Sequence, residues 1–255
     1  MIIADRFVFI HLPKTGGTFV TDVLHRLYKC TPDARLWRRL LKPWARSPLL
    51  NIKKHGTCNE IPARHRTKPI IACVRNPYDR YVSQFEFGWW KTDRFPDIDR
   101  ERIRRRFSHF PDLSFEEFIE AADMMFGQLK DTGPDREQRL GYHTEQFVRY
   151  FFREPQRVFG LIDEDYLQMR RYKQDMYPVR FMRTDRLNQD LHDCLESLGY
   201  DLAQLEFIYQ AKKVFPPRGG RSDDQTWEGY YTPELKRVVR RRERLLFALF
   251  PEFDV

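Results

Sequence analysis

Two short stretches of the chain carry the residue types needed to hold a strongly charged group. The first is Pro13-Lys14-Thr15-Gly16-Gly17-Thr18. Its two glycines let the backbone close around an oxyanion, Lys14 brings a point charge, and Thr15 and Thr18 bring hydroxyl donors. The second runs from Arg75-Asn76-Pro77 to Ser83. Arg75 offers the planar fork that suits a phosphate, and Ser83 a hydroxyl two helical turns further on. Between them lies Lys53-Lys54-His55-Gly56, where the His55 imidazole has an unperturbed pKa suited to a general base. Glu60 and Glu86 are the alternative carboxylates. A late loop, Arg218-Gly219-Gly220-Arg221, again combines cations with glycine. Each feature has a plainer reading when taken singly: a tight turn, a surface ion pair, a back-bonding serine, a loop histidine, a solvated loop. Lysine precedes the glycines, the reverse of the G-x-x-x-x-G-K-[ST] loop, so an ordinary ATPase or kinase site does not match.

The elements around these residues decide whether they can meet. Arg6–Leu12 is a short apolar, β-branched and aromatic run, which reads as a strand buried on both faces. The glycine loop follows it, and then a helical pattern with Phe19, Val20, Val23, Leu24 and Leu27 on one face. Pro69–Val74 reads as a second buried strand, running into Arg75 and a helix with Pro77 near its first turn. Residues 51–54 form a short strand ending at His55. Ser114 and Glu117 have capping-box spacing. A later strand spans Pro178–Arg183, and a helix from about Asn188 to Leu198 stops at Gly199. Strand, glycine loop, helix, strand predicts an α/β protein, in one domain over residues 1–255 with a helical insertion. In open α/β sheets ligands sit at the carboxyl edge of the strands, so the Lys14 loop and Arg75 are expected to share a crevice.

Composition narrows the classes. The 255 residues are 41% hydrophobic and 15% aromatic, which excludes intrinsic disorder. No stretch approaches the roughly 18 apolar residues of a membrane span. The amino-terminal residues show no signal-peptide pattern, so a cytoplasmic location is expected. Cys30, Cys58, Cys73 and Cys194 make no C-x-x-C pair and read as free thiols. The net charge of +8 is uneven: residues 1–83 hold 16 basic and 5 acidic side chains, 84–211 hold 19 and 25, and 212–255 hold 10 and 7. Basic ends around an acidic middle suit an enzyme for a small polyanion. A basic nucleic-acid-binding protein is the competing class, although no binding module is visible.

Together the two anion motifs resemble the sulfotransferase family that uses 3′-phosphoadenosine 5′-phosphosulfate (PAPS). Pro13–Thr18 looks like its 5′-phosphosulfate loop, and Arg75 through Ser83 like its 3′-phosphate motif. Arg183-Thr184-Asp185-Arg186-Leu187 and Tyr230-Tyr231-Thr232-Pro233 are similar to stretches of the carbohydrate sulfotransferase branch. The chain departs from the family at Asp185, where glutamate is common, and at Arg240–Arg244, where an acidic and a tyrosine position are usual.

The resemblance implies a P-loop-type three-layer fold, with a central parallel sheet flanked by helices. It also implies sulfuryl transfer to a hydroxyl or amine acceptor, a carbohydrate first among them, without an obligatory metal. Lys14 is then assigned to the leaving oxygen and His55 to the base. Lys14, Thr15, Gly16, Gly17, Thr18, Arg75, Ser83, Arg218 and Gly219 are assigned to the nucleotide. The acceptor side is expected to draw on the acidic middle. The aromatic run Phe85, Phe87, Trp89, Trp90 and Phe95 reads first as core, and Leu36–Lys42 as packing or a peripheral membrane contact. An atypical P-loop nucleotide kinase is the alternative enzyme.

Overall fold

The structure is a computed structural model that describes residues 1–28, 49–92, 99–126, 139–212 and 226–255. In chain order its strands, and its helices of six or more residues, are β1 (Ile2–Ile3), β2 (Val8–Ile10), α1 (Gly17–Leu27), β3 (Leu50–Asn51), β4 (Ile70–Val74), α2 (Pro77–Phe87), α3 (Arg100–Arg106), α4 (Phe115–Phe126), α5 (Tyr142–Phe151), β5 (Val179–Arg183), α6 (Leu187–Ser197), α7 (Pro233–Arg242) and α8 (Arg244–Leu249). Two compact units result. Met1–Arg75 with Pro178–Phe215 makes the first and holds all five strands; Asn76–Tyr177 with Pro216–Val255 makes the second, whose regular elements are helices.

The sheet of the first unit has the order β3-β1-β2-β4-β5. Its heart is parallel: Val8 pairs with Ile70, and Ile70 with Val179. Every residue of β2 and β4 is buried, as the continuous apolar runs require of strands covered on both faces. Phe7, Phe9, Ile71, Cys73 and Met182 share one core with Val20, Val23 and Leu24 of α1 and Leu191, Cys194 and Leu195 of α6. Each such large side chain contributes about 1.5–3 kcal/mol on burial, enough to clamp both helices to the sheet. Cys58, Cys73 and Cys194 are buried free thiols.

The sheet is mixed rather than wholly parallel. β1 runs antiparallel to both β2 and β3. At two residues β1 is too short to leave a period in the sequence. The strand expected over 51–54 instead ends at Asn51, because the carbonyls of Lys53 and Lys54 accept from the Met1 amine, the latter at 2.9 Å.

In the second unit, Asn76 Oδ1 caps α2 by accepting from Tyr78 N at 3.0 Å, with Pro77 in the first turn. The capping box forms as its spacing predicts: Ser114 N donates to Glu117 Oε2 at 2.8 Å, and Glu117 N to Ser114 Oγ at 3.3 Å. Trp90 is fully buried against Phe118, so this part of the aromatic run is core; Phe95 and Leu36–Lys42 lie outside the described residues.

The run Lys236–Arg244 reads in sequence as one exposed face, yet Glu243 is fully buried and separates α7 from α8. Its carboxylate accepts from Tyr81 Oη at 2.6 Å, Thr144 N at 2.6 Å and His143 N at 3.2 Å, so it neutralises the positive end of α5. Among the described residues no helix is long and apolar enough to cross a membrane.

Candidate active site

Parallel register brings the carboxyl ends of β2, β4 and β5 to one edge of the first unit, where each strand hands over to a polar residue or loop. After β2 the chain turns sharply. Lys14 has φ 63° and Gly16 φ 87°, both in the left-handed region that only glycine adopts without cost. Gly16 is also the N-cap of α1 and supplies no side-chain cap, so the first amides of that helix face outward as anion donors. Gly16 is held to glycine chiefly by its positive φ, and Gly17 by the space around it. A Cβ on Gly16 would lie 2.7 Å from Leu187 Cδ2, and one on Gly17 would lie 2.3 Å from the His11 ring.

The threonines divide their roles. Thr15 is buried and its hydroxyl donates to Leu12 O at 2.9 Å, so its backbone amide is what it offers an anion. Thr18 is exposed at the second position of α1. Thr184, directly after β5, ties the edge together: its Oγ1 lies 3.0 Å from Thr15 O and 2.9 Å from Val74 O. In sequence Thr184 stands out only as part of Arg183–Leu187. Its signal is a threonine at the carboxyl end of a strand, which becomes informative once that strand is known to neighbour β4.

Charge in the cradle is held under tension. Burial, and then the nearby charge of Arg75, lower the Lys14 pKa to about 8. Arg75 itself is half-buried at the end of β4. His55 Nδ1 lies 3.2 Å from the main-chain oxygen of His11. A carbonyl oxygen only accepts, so Nδ1 carries the proton and Nε2 keeps its lone pair. His55 is exposed at the surface, yet the protein around it desolvates the ring enough to pull its pKa below the ordinary histidine value. The His11 carbonyl opposes that shift, and Lys54 and the terminal amine reinforce it. His55 is therefore a neutral acceptor of protons at pH 7.

The alternative carboxylates are occupied. Glu60 accepts from Lys53 Nζ and from Thr57 N, both at 2.8 Å, and the Lys53 bond leads the lowering of its pKa. It caps a helical turn and is a poor base. Glu86, in the second unit, accepts from Tyr230 Oη at 2.7 Å. Asp185, where the family often has glutamate, receives both arms of the Arg183 fork, at 3.1 and 2.6 Å. Lys14, Thr15, Gly16, Gly17, Thr18, His55 and Arg75 all belong to the first unit, and Ser83 sits half-buried on α2 in the second. Arg218 and Gly219 lie outside the described residues.

The sequence profile of the sulfotransferase family matches residues 3–214. Among curated protein sequences none matches the chain. One solved structure, mouse sulfotransferase SULT7A1 complexed with PAP, aligns over 97% of this chain and 84% of its own at 16% identity, with a TM-score of 0.45. The family match spans the β2–α1 cradle, His55, Arg75 and the β5 edge. The chain thus belongs to the sulfotransferase family.

Proposed function

We propose that the protein moves a sulfuryl group from PAPS to a hydroxyl or amine acceptor, a carbohydrate hydroxyl above all, with residues 1–255 acting as one catalytic domain in the cytoplasm. The observation that carries this reading is the β2–α1 cradle. It has two obligatory glycines, an uncapped helix start and a lysine whose charge is costly until an anion arrives.

The cradle of Lys14, Thr15, Gly16, Gly17 and Thr18 takes the 5′-phosphosulfate. Arg75 and Ser83 take the 3′-phosphate, with Arg218 and Gly219 folding over it; these assignments rest on the motifs. The acceptor oxygen attacks sulfur in line with the bridging oxygen. A new S–O bond forms as the old one breaks, and the acceptor proton passes to His55 Nε2. As in phosphoryl transfer, little covalent work falls to the protein, so positioning and charge carry the rate. Lys14 neutralises the charge that builds on the leaving oxygen. No obligatory metal is invoked, and chelation by EDTA should leave turnover unchanged.

Thermal denaturation with 3′-phosphoadenosine 5′-phosphate (PAP), set against ATP with Mg²⁺, tests the reading. At a hundredfold excess over its Kd a specific ligand adds about 2.7 kcal/mol, or roughly 5–10 °C for a chain of this size. A shift with ATP and none with PAP would return the kinase alternative. His55→Ala should cut turnover while PAP still binds, and normal turnover in that variant would refute its role as base.

A further inference from the structure

We infer that His11 is a positioning residue: its ring, wedged between Gly17 and His55, registers the base against the phosphosulfate cradle. The inference rests on the reading of His55 as base. In sequence His11 sits inside the apolar run Arg6–Leu12 with no pattern of its own. In the fold it follows β2 immediately and is 7% exposed.

Three contacts define its place. On one side its Cδ2 and Nε2 fill the space a Gly17 Cβ would need, 2.3 and 2.5 Å from that point. On another, its ring meets that of His55 edge to face, with centroids 5.1 Å apart and planes at 73°. Behind it lies Phe9, at 5.9 Å. Its main-chain oxygen also fixes His55 Nδ1. One residue therefore touches the second loop glycine with its ring and the base with both ring and backbone. Gly17 must be glycine because of His11, and the orientation of His55 follows from the same neighbour.

The ring does this without charge. Burial, then His55, Lys54 and the terminal amine, all disfavour its protonated form and hold its pKa near 3. Lys54 and the terminal amine are likewise the groups that act on His55, alongside His11 itself. An uncharged His11 leaves His55 to titrate as a single group. Its work is that of shape.

Shape is separable from imidazole chemistry by comparing His11→Phe with His11→Ala in the full chain. Two readouts serve: ¹⁵N NMR titration of the His55 ring, which needs no substrate, and turnover with saturating PAPS beside PAP affinity. His11→Ala should rehydrate His55 and move its titration upward toward the ordinary value. Turnover should fall about 10- to 100-fold, as expected for a misplaced catalytic group, with PAP affinity held within about threefold. His11→Phe refills the wedge, so it should restore turnover to within about fivefold of wild type and return the His55 titration to its depressed position. An unchanged His55 titration in His11→Ala, with wild-type transfer normal, overturns the inference alone. A His11→Phe variant as inactive as His11→Ala, with an intact melt, overturns it in favour of direct chemistry by a His11 nitrogen. Absence of PAPS-dependent transfer in the wild type sinks the parent reading, and this inference with it.

Discussion

The lowered pKa of Lys14 makes a claim about stability as well as catalysis. In Lys14→Met the side chain keeps its reach and loses its charge. A fall from the usual 10.5 to about 8 means that the folded protein disfavours the ammonium by about 3 kcal/mol. Lys14 retains some contact with water, so screening reduces the realised penalty to roughly 1–3 kcal/mol. The sign follows from proton counting. Below pH 8 the lysine is charged in both the folded and unfolded states, and the penalty is fully present. Between 8 and 10.5 the folded state gives up its proton first, the unfolded state binds more protons, and stability rises with pH. Above 10.5 both are neutral and the penalty is gone. Without nucleotide at pH 7, Lys14→Met should therefore melt higher than wild type by roughly 3–10 °C. That gap should close by pH 10.5, while transfer falls about 10²- to 10³-fold. Added PAP should reverse the order of the two melts, because its phosphate favours the charged Lys14 that wild type keeps. Paired melts across pH 7–11 decide the matter. A Met variant no more stable than wild type at pH 7 would refute the electrostatic account, and a gap that persists above pH 10.5 would assign it to simple apolar packing.

Three further outcomes follow from the same geometry. The profile of kcat/KM for PAPS should rise with pH through the depressed pKa of His55, below the ordinary histidine value, and fall near pH 8 as Lys14 loses its proton; Lys14→Arg should erase the alkaline limb. Thr184→Val keeps the side-chain shape but severs the ties to Thr15 O and Val74 O, so the KM for PAPS should rise and stability fall by about 1–2 kcal/mol, measured by steady-state kinetics and denaturant melts. Glu60→Gln loses the Lys53 pair and weakens a helical cap, costing about 1 kcal/mol with turnover intact; a collapse of turnover would transfer the role of base from His55 to Glu60.

How much of this was legible in the sequence depended on whether the governing contact was local. The cradle was readable because strand, glycine pair and helix are contiguous, and Gly16 advertises its positive φ by its identity. The start of α2 was readable for the same reason: Asn76 and Pro77 cap it within three residues. Glu243 was misread because its partners, the amides of His143 and Thr144, lie about a hundred positions away, and a glutamate among arginines looks solvated until a helix end is brought to it. Thr184 and His11 were missed on similar grounds. A threonine after a strand and a histidine two residues before a proline carry no pattern of their own. Their meaning comes from the neighbours that the sheet places beside them.

The sheet also separates two tasks within the first unit. The groups proposed to meet an anion, Lys14 with its loop and Arg75, leave the parallel strands β2 and β4, and Thr184 braces the loop and the end of β4 from β5. His55 follows β3, which lies across β1 from β2 and runs in the same direction as β2, so it reaches the same edge from the far side of β1. The parallel part is rigid by construction, since its strands are buried on both faces and clamped by α1 and α6. The antiparallel edge is short and exposed at β3. A change there would re-aim the proposed base without moving the atoms of the proposed donor cradle. His11 is the point where the two parts touch, its ring on Gly17 and on His55 at once. Substitutions at β3 should accordingly alter acceptor preference before donor affinity, and substitutions at His11 should break the independence of the two.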